Sequence, residues 1–143
     1  MVLTWASVID GATSPWTSSY RPNHGNPCSV YVFGLIGVGS GLFPVIETQS
    51  TEASIGKPGE QDLFKFTAKT AGRYTIETEG PTDIVMSLCG PERQTNLITQ
   101  DDDSGTDRNA KIVTELMSGT YYVQVRHYNS TGGTGSYKIK VSK

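Results

Sequence analysis

The sequence predicts an all-β protein, an antiparallel β-sandwich of jelly-roll type with about eight to nine strands. Three observations carry this. Short runs alternate apolar and polar residues with a period of two, turn signals close nearly every run, and no window sustains a helical stripe.

The strand period begins at about Thr51. Leu63 to Thr67 alternates with Phe64 and Phe66 on one face, and Arg73 to Glu77 does so with Tyr74 and Ile76. Ile84, Met86 and Leu88 continue the pattern. Leu97-Ile98, Ile112 to Met117, Tyr121 to Val125 and Tyr137 to Val141 complete it. Between them stand Lys57-Pro58-Gly59, Ala71-Gly72, Glu79-Gly80-Pro81, Gly90-Pro91, Ser118-Gly119 and Gly132-Gly133, residues that supply turn dihedrals. Thr13 to Tyr20 and Arg108 to Leu116 each have room for a turn or two of helix.

Charge divides the chain. Residues 1–50 carry only Asp10, Arg21 and Glu47, although the whole chain has 12 Lys and Arg and 14 Asp and Glu. The shift predicts an arm, or the tail of a preceding domain, over residues 1–50 and the sandwich over 51–143. Within the arm, Ser29 to Ile36 reads as a buried strand, and Trp5, Trp16 and Tyr20 read as aromatic pins among loops. Low charge there implies that much of the arm is covered. The net charge of −2 and the lack of Lys/Arg-rich runs exclude an electrostatic drive toward nucleic acid. No apolar stretch approaches the roughly 20 residues of a membrane span, and the opening residues lack the form of a signal peptide, as expected of an excised mature fragment.

The most pointed local feature is Asp101-Asp102-Asp103-Ser104-Gly105-Thr106-Asp107-Arg108-Asn109, with four carboxylates in nine residues. Calcium takes about six to eight oxygens, and carboxylates on a tight turn supply several of them. Asp101, Asp103 and Asp107 are the candidate ligands, Gly105 permits the turn, and Asp62 or Glu60 would approach from a neighbouring strand. The loop is not an EF-hand, because the position expected to hold its last glutamate is Ile112. The alternative is a solvated loop whose Asp and Asn side chains cap turns, with Arg108 and Lys111 offsetting the charge.

Three stretches resemble the bacterial pre-peptidase C-terminal domain, a β-sandwich related to the collagen-binding domains of clostridial collagenases. They are Glu60 to Phe66, Leu97 to Gly105 with Arg108-Asn109 after it, and Ser118 to Val125 followed by Gly132 to Tyr137. The resemblance spans about residues 59–141. It implies a non-catalytic module beside a secreted metallo-, serine or cysteine peptidase, assisting secretion, localisation or substrate binding and often removed in maturation. Some relatives bind calcium through an acidic linker before the first strand. Here the linker reads Phe43 to Ser50 and keeps only Glu47, which departs from that pattern. The implied partners are a parent catalytic domain or an extracellular polymer, and the implied location is outside the cell.

Tyr121, Tyr122, Tyr128, Tyr137 and His127 gather near the last two strands, where exposed rings would grip an extended polymer. Alternation turns Tyr121 inward with Val123 and Val125 and leaves Tyr122, Gln124 and Arg126 outward. Tyr122, Arg126 and Tyr128 are therefore the candidate ligand-binding residues. The competing reading packs the tyrosines into the sandwich. Collagen-binding relatives place an aromatic near the Arg126 position, so collagen is disfavoured as the ligand.

The inventory for catalysis is short. His24 and Cys28 lack a second pair to complete a zinc site, and the residues around Cys28 match no activated-cysteine signature. Gly-x-Ser-x-Gly and His-Glu-x-x-His are absent, and Gly34 to Gly41 lacks the Gly-Lys-Ser/Thr ending of a phosphate loop. The chain reads as a non-enzyme. Cys28 and Cys89 are either two free thiols or an arm-to-sandwich disulfide. Two functions are consistent with all this: the accessory module of a secreted hydrolase, or a free-standing secreted protein that recognises carbohydrate or matrix through its tyrosines.

Overall fold

A computed structural model describes residues 7–8 and 50–143, except 92 and 94. Cys28, Ser29 to Ile36 and Thr13 to Tyr20 lie outside the described residues. Among the described residues the chain is all strand and turn: β1 (Ser7–Val8), β2 (Thr51–Ile55), β3 (Gln61–Ala68), β4 (Gly72–Glu79), β5 (Ile84–Cys89), β6 (Leu97–Asp101), β7 (Lys111–Leu116), β8 (Gly119–His127) and β9 (Gly135–Ser142). They form two antiparallel sheets, one ordered β1-β3-β8-β5-β6 and the other β2-β9-β4-β7. Arg108 to Leu116 holds no helix. Ile112 and Leu116 are both buried, and a spacing of four fits one face of a strand as well as one face of a helix.

Alternation places the core. Phe64 and Phe66 of β3, Ile84, Met86 and Leu88 of β5, and Tyr121, Val123 and Val125 of β8 face Tyr74 and Ile76 of β4 and Tyr137, Ile139 and Val141 of β9. Rings bind the layers together. Phe66 stacks on Tyr121 with centroids 5.6 Å apart and lies 6.2 Å from Tyr74, while Phe64 meets Tyr137 edge-on at 6.4 Å. Tyr121 and Tyr137 are each 2% exposed, so the reading that sends these tyrosines into the sandwich holds for both.

The two outer faces differ. On the four-stranded sheet, Lys140 bridges Glu77 at 2.9 Å and Glu79 at 2.8 Å, Lys111 reaches Glu77 at 3.3 Å, and Lys138 reaches Glu52 at 3.2 Å. This is a solvated ladder of alternating charge. On the five-stranded sheet, Leu63, Val85, Ser87, Cys89 and Gln124 occupy outward positions, yet every one is buried. Leu63, Val85 and Cys89 are not part of the apolar cluster between the sheets.

Candidate functional site

The aspartate loop carries the chain from β6 of one sheet to β7 of the other. Its first carboxylate closes it. Asp101 accepts hydrogen bonds at Oδ1 from the Ser104 hydroxyl and at Oδ2 from the Ser104 N–H at 3.1 Å and the Lys111 N–H at 2.8 Å. At the far end, the Gly105 N–H donates to Asn109 O at 2.8 Å and the Asn109 N–H to Thr106 O at 3.2 Å. That closure is why residue 105 is glycine: a Cβ there would lie 2.5 Å from Asn109 O. Asp107 adopts a left-handed backbone with φ 59°, a conformation that Asp tolerates better than most residues.

Asn109 is buried at the foot of the loop. Its Nδ2 donates to Thr106 O at 2.8 Å and to Gly80 O at 3.2 Å, whereas its Oδ1 has no protein partner. Flipping the amide would aim an oxygen at two carbonyls, so the orientation is fixed by its donors. The cations expected to offset the loop go elsewhere. Arg108 lies 3.7 Å from Asp83, and Lys111 pairs with Glu77.

Asp62 does not join this loop. Register aligns Asp62 with Val125, Val125 with Met86, and Met86 with Asp101, which sets Asp62 and Asp101 three strands apart, about 14 Å at ordinary inter-strand spacing. Two ligands of one calcium ion cannot be that far apart. Asp62 instead turns into the core, 1% exposed, and accepts the Tyr137 hydroxyl at Oδ2 at 2.5 Å. Burial, followed by the Asp62 charge and hydrogen bond and the Glu60 charge, holds the Tyr137 hydroxyl well above its ordinary pKa. Glu60 is also committed: its Oε2 accepts the N–H groups of Gly56 at 2.7 Å and Lys57 at 2.9 Å, pinning the turn before β3. Among the described residues no group of three or more His, Cys, Asp or Glu side chains is placed to hold a metal ion. Asp101 already satisfies backbone and hydroxyl donors, and the expected fourth carboxylate serves Tyr137.

The candidate ligand residues are dispersed. Tyr122 and Arg126 lie half-buried on the same outer face of β8, about 13 Å apart along the strand, with buried Gln124 between them. The Gln124 amide donates to the Gln61 side-chain oxygen. Arg126 Nη1 donates to His127 O at 3.3 Å, and Tyr128, 61% exposed, stands beyond the strand end. These three do not form one open platform. An open groove of about 590 Å³ lies elsewhere, beside the Glu52–Lys138 pair and against Gly80, Pro81 and Tyr137.

Catalytic partners are not assembled among the described residues. Cys89 is disulfide-bonded, and His127 Nδ1 accepts the Asn129 N–H at 2.9 Å. Parity in the sequence could have shown the role of Asp62, because it shares its face of β3 with Phe64 and Phe66.

Residues 60–127 match the family model of the bacterial pre-peptidase C-terminal domain. Over those residues the chain is similar to the pre-peptidase C-terminal domain. Such domains are non-catalytic accessory domains of peptidases, attached to catalytic domains. A solved structure with the same fold is the pre-peptidase C-terminal domain of collagenase from Bacillus anthracis, with 18% identity over 69% of this chain and 93% of that one and a TM-score of 0.57. The periplasmic inhibitor of g-type lysozyme from Aeromonas hydrophila, PliG, has 18% identity over 70% of this chain and 97% of its own, with a TM-score of 0.43. No curated protein matches the chain. Among the described residues no helix is long and apolar enough to cross a membrane.

Proposed function

We propose that this chain is a non-catalytic accessory module of a secreted bacterial peptidase or related hydrolase, supporting its folding, export or attachment to substrate or matrix. The family match over residues 60–127 carries the reading. The commitments of the buried ionisable groups support it: Asp62 serves Tyr137 and Glu60 serves a turn, which leaves neither poised for proton transfer. A non-enzymatic role outside the cytoplasm follows from the same reading.

In the producing bacterium, deleting codons 51–143 is expected to lower the extracellular amount, or the polymer-bound share, of the encoded hydrolase. Turnover of a small soluble substrate per mole of enzyme should stay the same. Equal secretion and equal retention with and without the segment would overturn the proposal.

The exposed Tyr128 ring favours a second reading, a free-standing protein that recognises carbohydrate or matrix. Binding of the isolated chain on a glycan and matrix-protein array, lost in Tyr128→Ala, would support that reading over the first.

A further inference from the structure

The outward residues of the five-stranded sheet pose a specific problem. A sheet face open to water leaves its central side chains accessible, as exposed Lys138 and half-buried Lys140 of β9, an inner strand of the other sheet, illustrate. Leu63 and Val85 are each 2% exposed and Cys89 is 0%, although they point away from the core that the two sheets share. No described strand packs over them, since β1, β3, β8, β5 and β6 all lie within that sheet and the other sheet covers its opposite face. Something apolar and charge-poor must seat there.

Three observations point to one occupant. Cys89, on this face, is disulfide-bonded, and the chain has a single other cysteine, Cys28. The chain before Ser50 reaches this sheet, because Ser7 pairs with Asp62 and Val8 with Gln61 at its edge. That part of the chain also carries only Asp10, Arg21 and Glu47 as charges, which lets it cover apolar surface without burying unpaired ions.

We infer that the outer face of the five-stranded sheet, centred on Leu63, Val85, Gln124 and Cys89, is an intramolecular docking surface for residues 1–49, tied to it by a Cys28–Cys89 disulfide. The segment is then part of the module's packing, and the division at residue 50 is a change of composition without a break between folding units. The solvated charge ladder of the four-stranded sheet is left as the broad face available to other macromolecules.

The test uses the full oxidised chain. Peptide mapping without reductant should recover Cys28 linked to Cys89 within one chain. With the photoreactive substitution Tyr122→p-benzoyl-phenylalanine, irradiation should join position 122 to peptides from residues 1–49 in a species of monomer mass, whereas the control Val113→p-benzoyl-phenylalanine should not. Cys28→Ser should speed chymotryptic loss of residues 1–49 by about tenfold or more and leave 50–143 intact, as release of a local unit would. Crosslinks from position 122 to a second copy, crosslinks to no peptide of residues 1–49, a disulfide between chains, or trimming at the unchanged rate would each overturn the inference.

Discussion

The Tyr137 hydroxyl on one sheet donates to the Asp62 carboxylate on the other, 2.5 Å away inside the sandwich core. A carboxylate at this depth needs a donor, and a phenol brings one on a ring that also packs edge-on against Phe64. Tyr137→Phe keeps the ring and removes the donor, so it should cost about 2–3 kcal/mol. A double-mutant cycle with Asp62→Asn, read by urea unfolding, should give a coupling above about 1 kcal/mol. Additive losses would show that the two groups act separately.

The same pair sets an alkaline limit. The hydroxyl is held above its ordinary value of 10.0, by burial first and then by Asp62, so it stays protonated in the fold while it ionises in the unfolded chain. Stability from this group is complete below pH 10.0 and declines as pH rises above it toward the folded value. Unfolding free energy measured across that range should therefore fall more steeply for the wild type than for Tyr137→Phe. Parallel slopes would contradict the assignment.

On the solvated face the sign reverses. Glu77 is held below its ordinary value, by the Lys140 hydrogen bond first and by Lys111 in addition, against the opposing effect of partial burial. Its contribution is present above the unfolded pKa of 4.5 and lost as pH falls through the lower folded value. Glu77→Gln should cost at most about 1 kcal/mol at neutral pH, less in high salt, and should flatten the acid side of the stability profile. A loss unaffected by salt would point to packing.

In the aspartate loop the four carboxylates are not equivalent. Asp101→Ala removes the acceptor for Ser104 and for the Lys111 N–H and should cost about 1–2 kcal/mol, whereas Asp103→Ala should change stability by less than about 0.5 kcal/mol. Tm should be the same in chelator and in millimolar calcium. A calcium-dependent rise that disappears in Asp103→Ala or Asp107→Ala would restore the loop as a metal site.

Reduction provides the last test. If Cys89 is tied to the chain before Ser50, reduction should cost about 2–4 kcal/mol, read as a drop in the urea midpoint. Cys89→Ser should abolish the response to reductant. A wild-type midpoint indifferent to reductant would mean that the crosslink closes no loop of consequence.

How much was legible follows from what a period of two can report. Phe64, Tyr74, Met86, Val123 and Ile139 announce their strands because one buried face repeats at alternate residues, and the structure puts all five in the core. β2 was harder to single out, since Thr51, Glu52, Ala53 and Ser54 are small or polar. Asp62 and Tyr137 sat in the inward phase of their strands, so parity held their pairing in plain view, while the charge of Asp62 invited a surface role. Leu63 and Val85 are apolar at outward parity, a sign of a second covering that alternation about one core does not represent. The placement of the loop aspartates was illegible for another reason: hydrogen-bond closure by Ser104 and Lys111 depends on two sheets meeting at an edge.

That meeting has a consequence for colonies of this module at high concentration. Lys111 opens β7, an outermost strand whose open side would offer its backbone to any passing strand. The Asp101 carboxylate already holds the Lys111 N–H, and it brings negative charge to the place where a second copy would begin to zip on. The first aspartate of the loop thus occupies a backbone donor that edge-to-edge pairing through β7 would otherwise use, a hazard for any sandwich that leaves its borders unpaired.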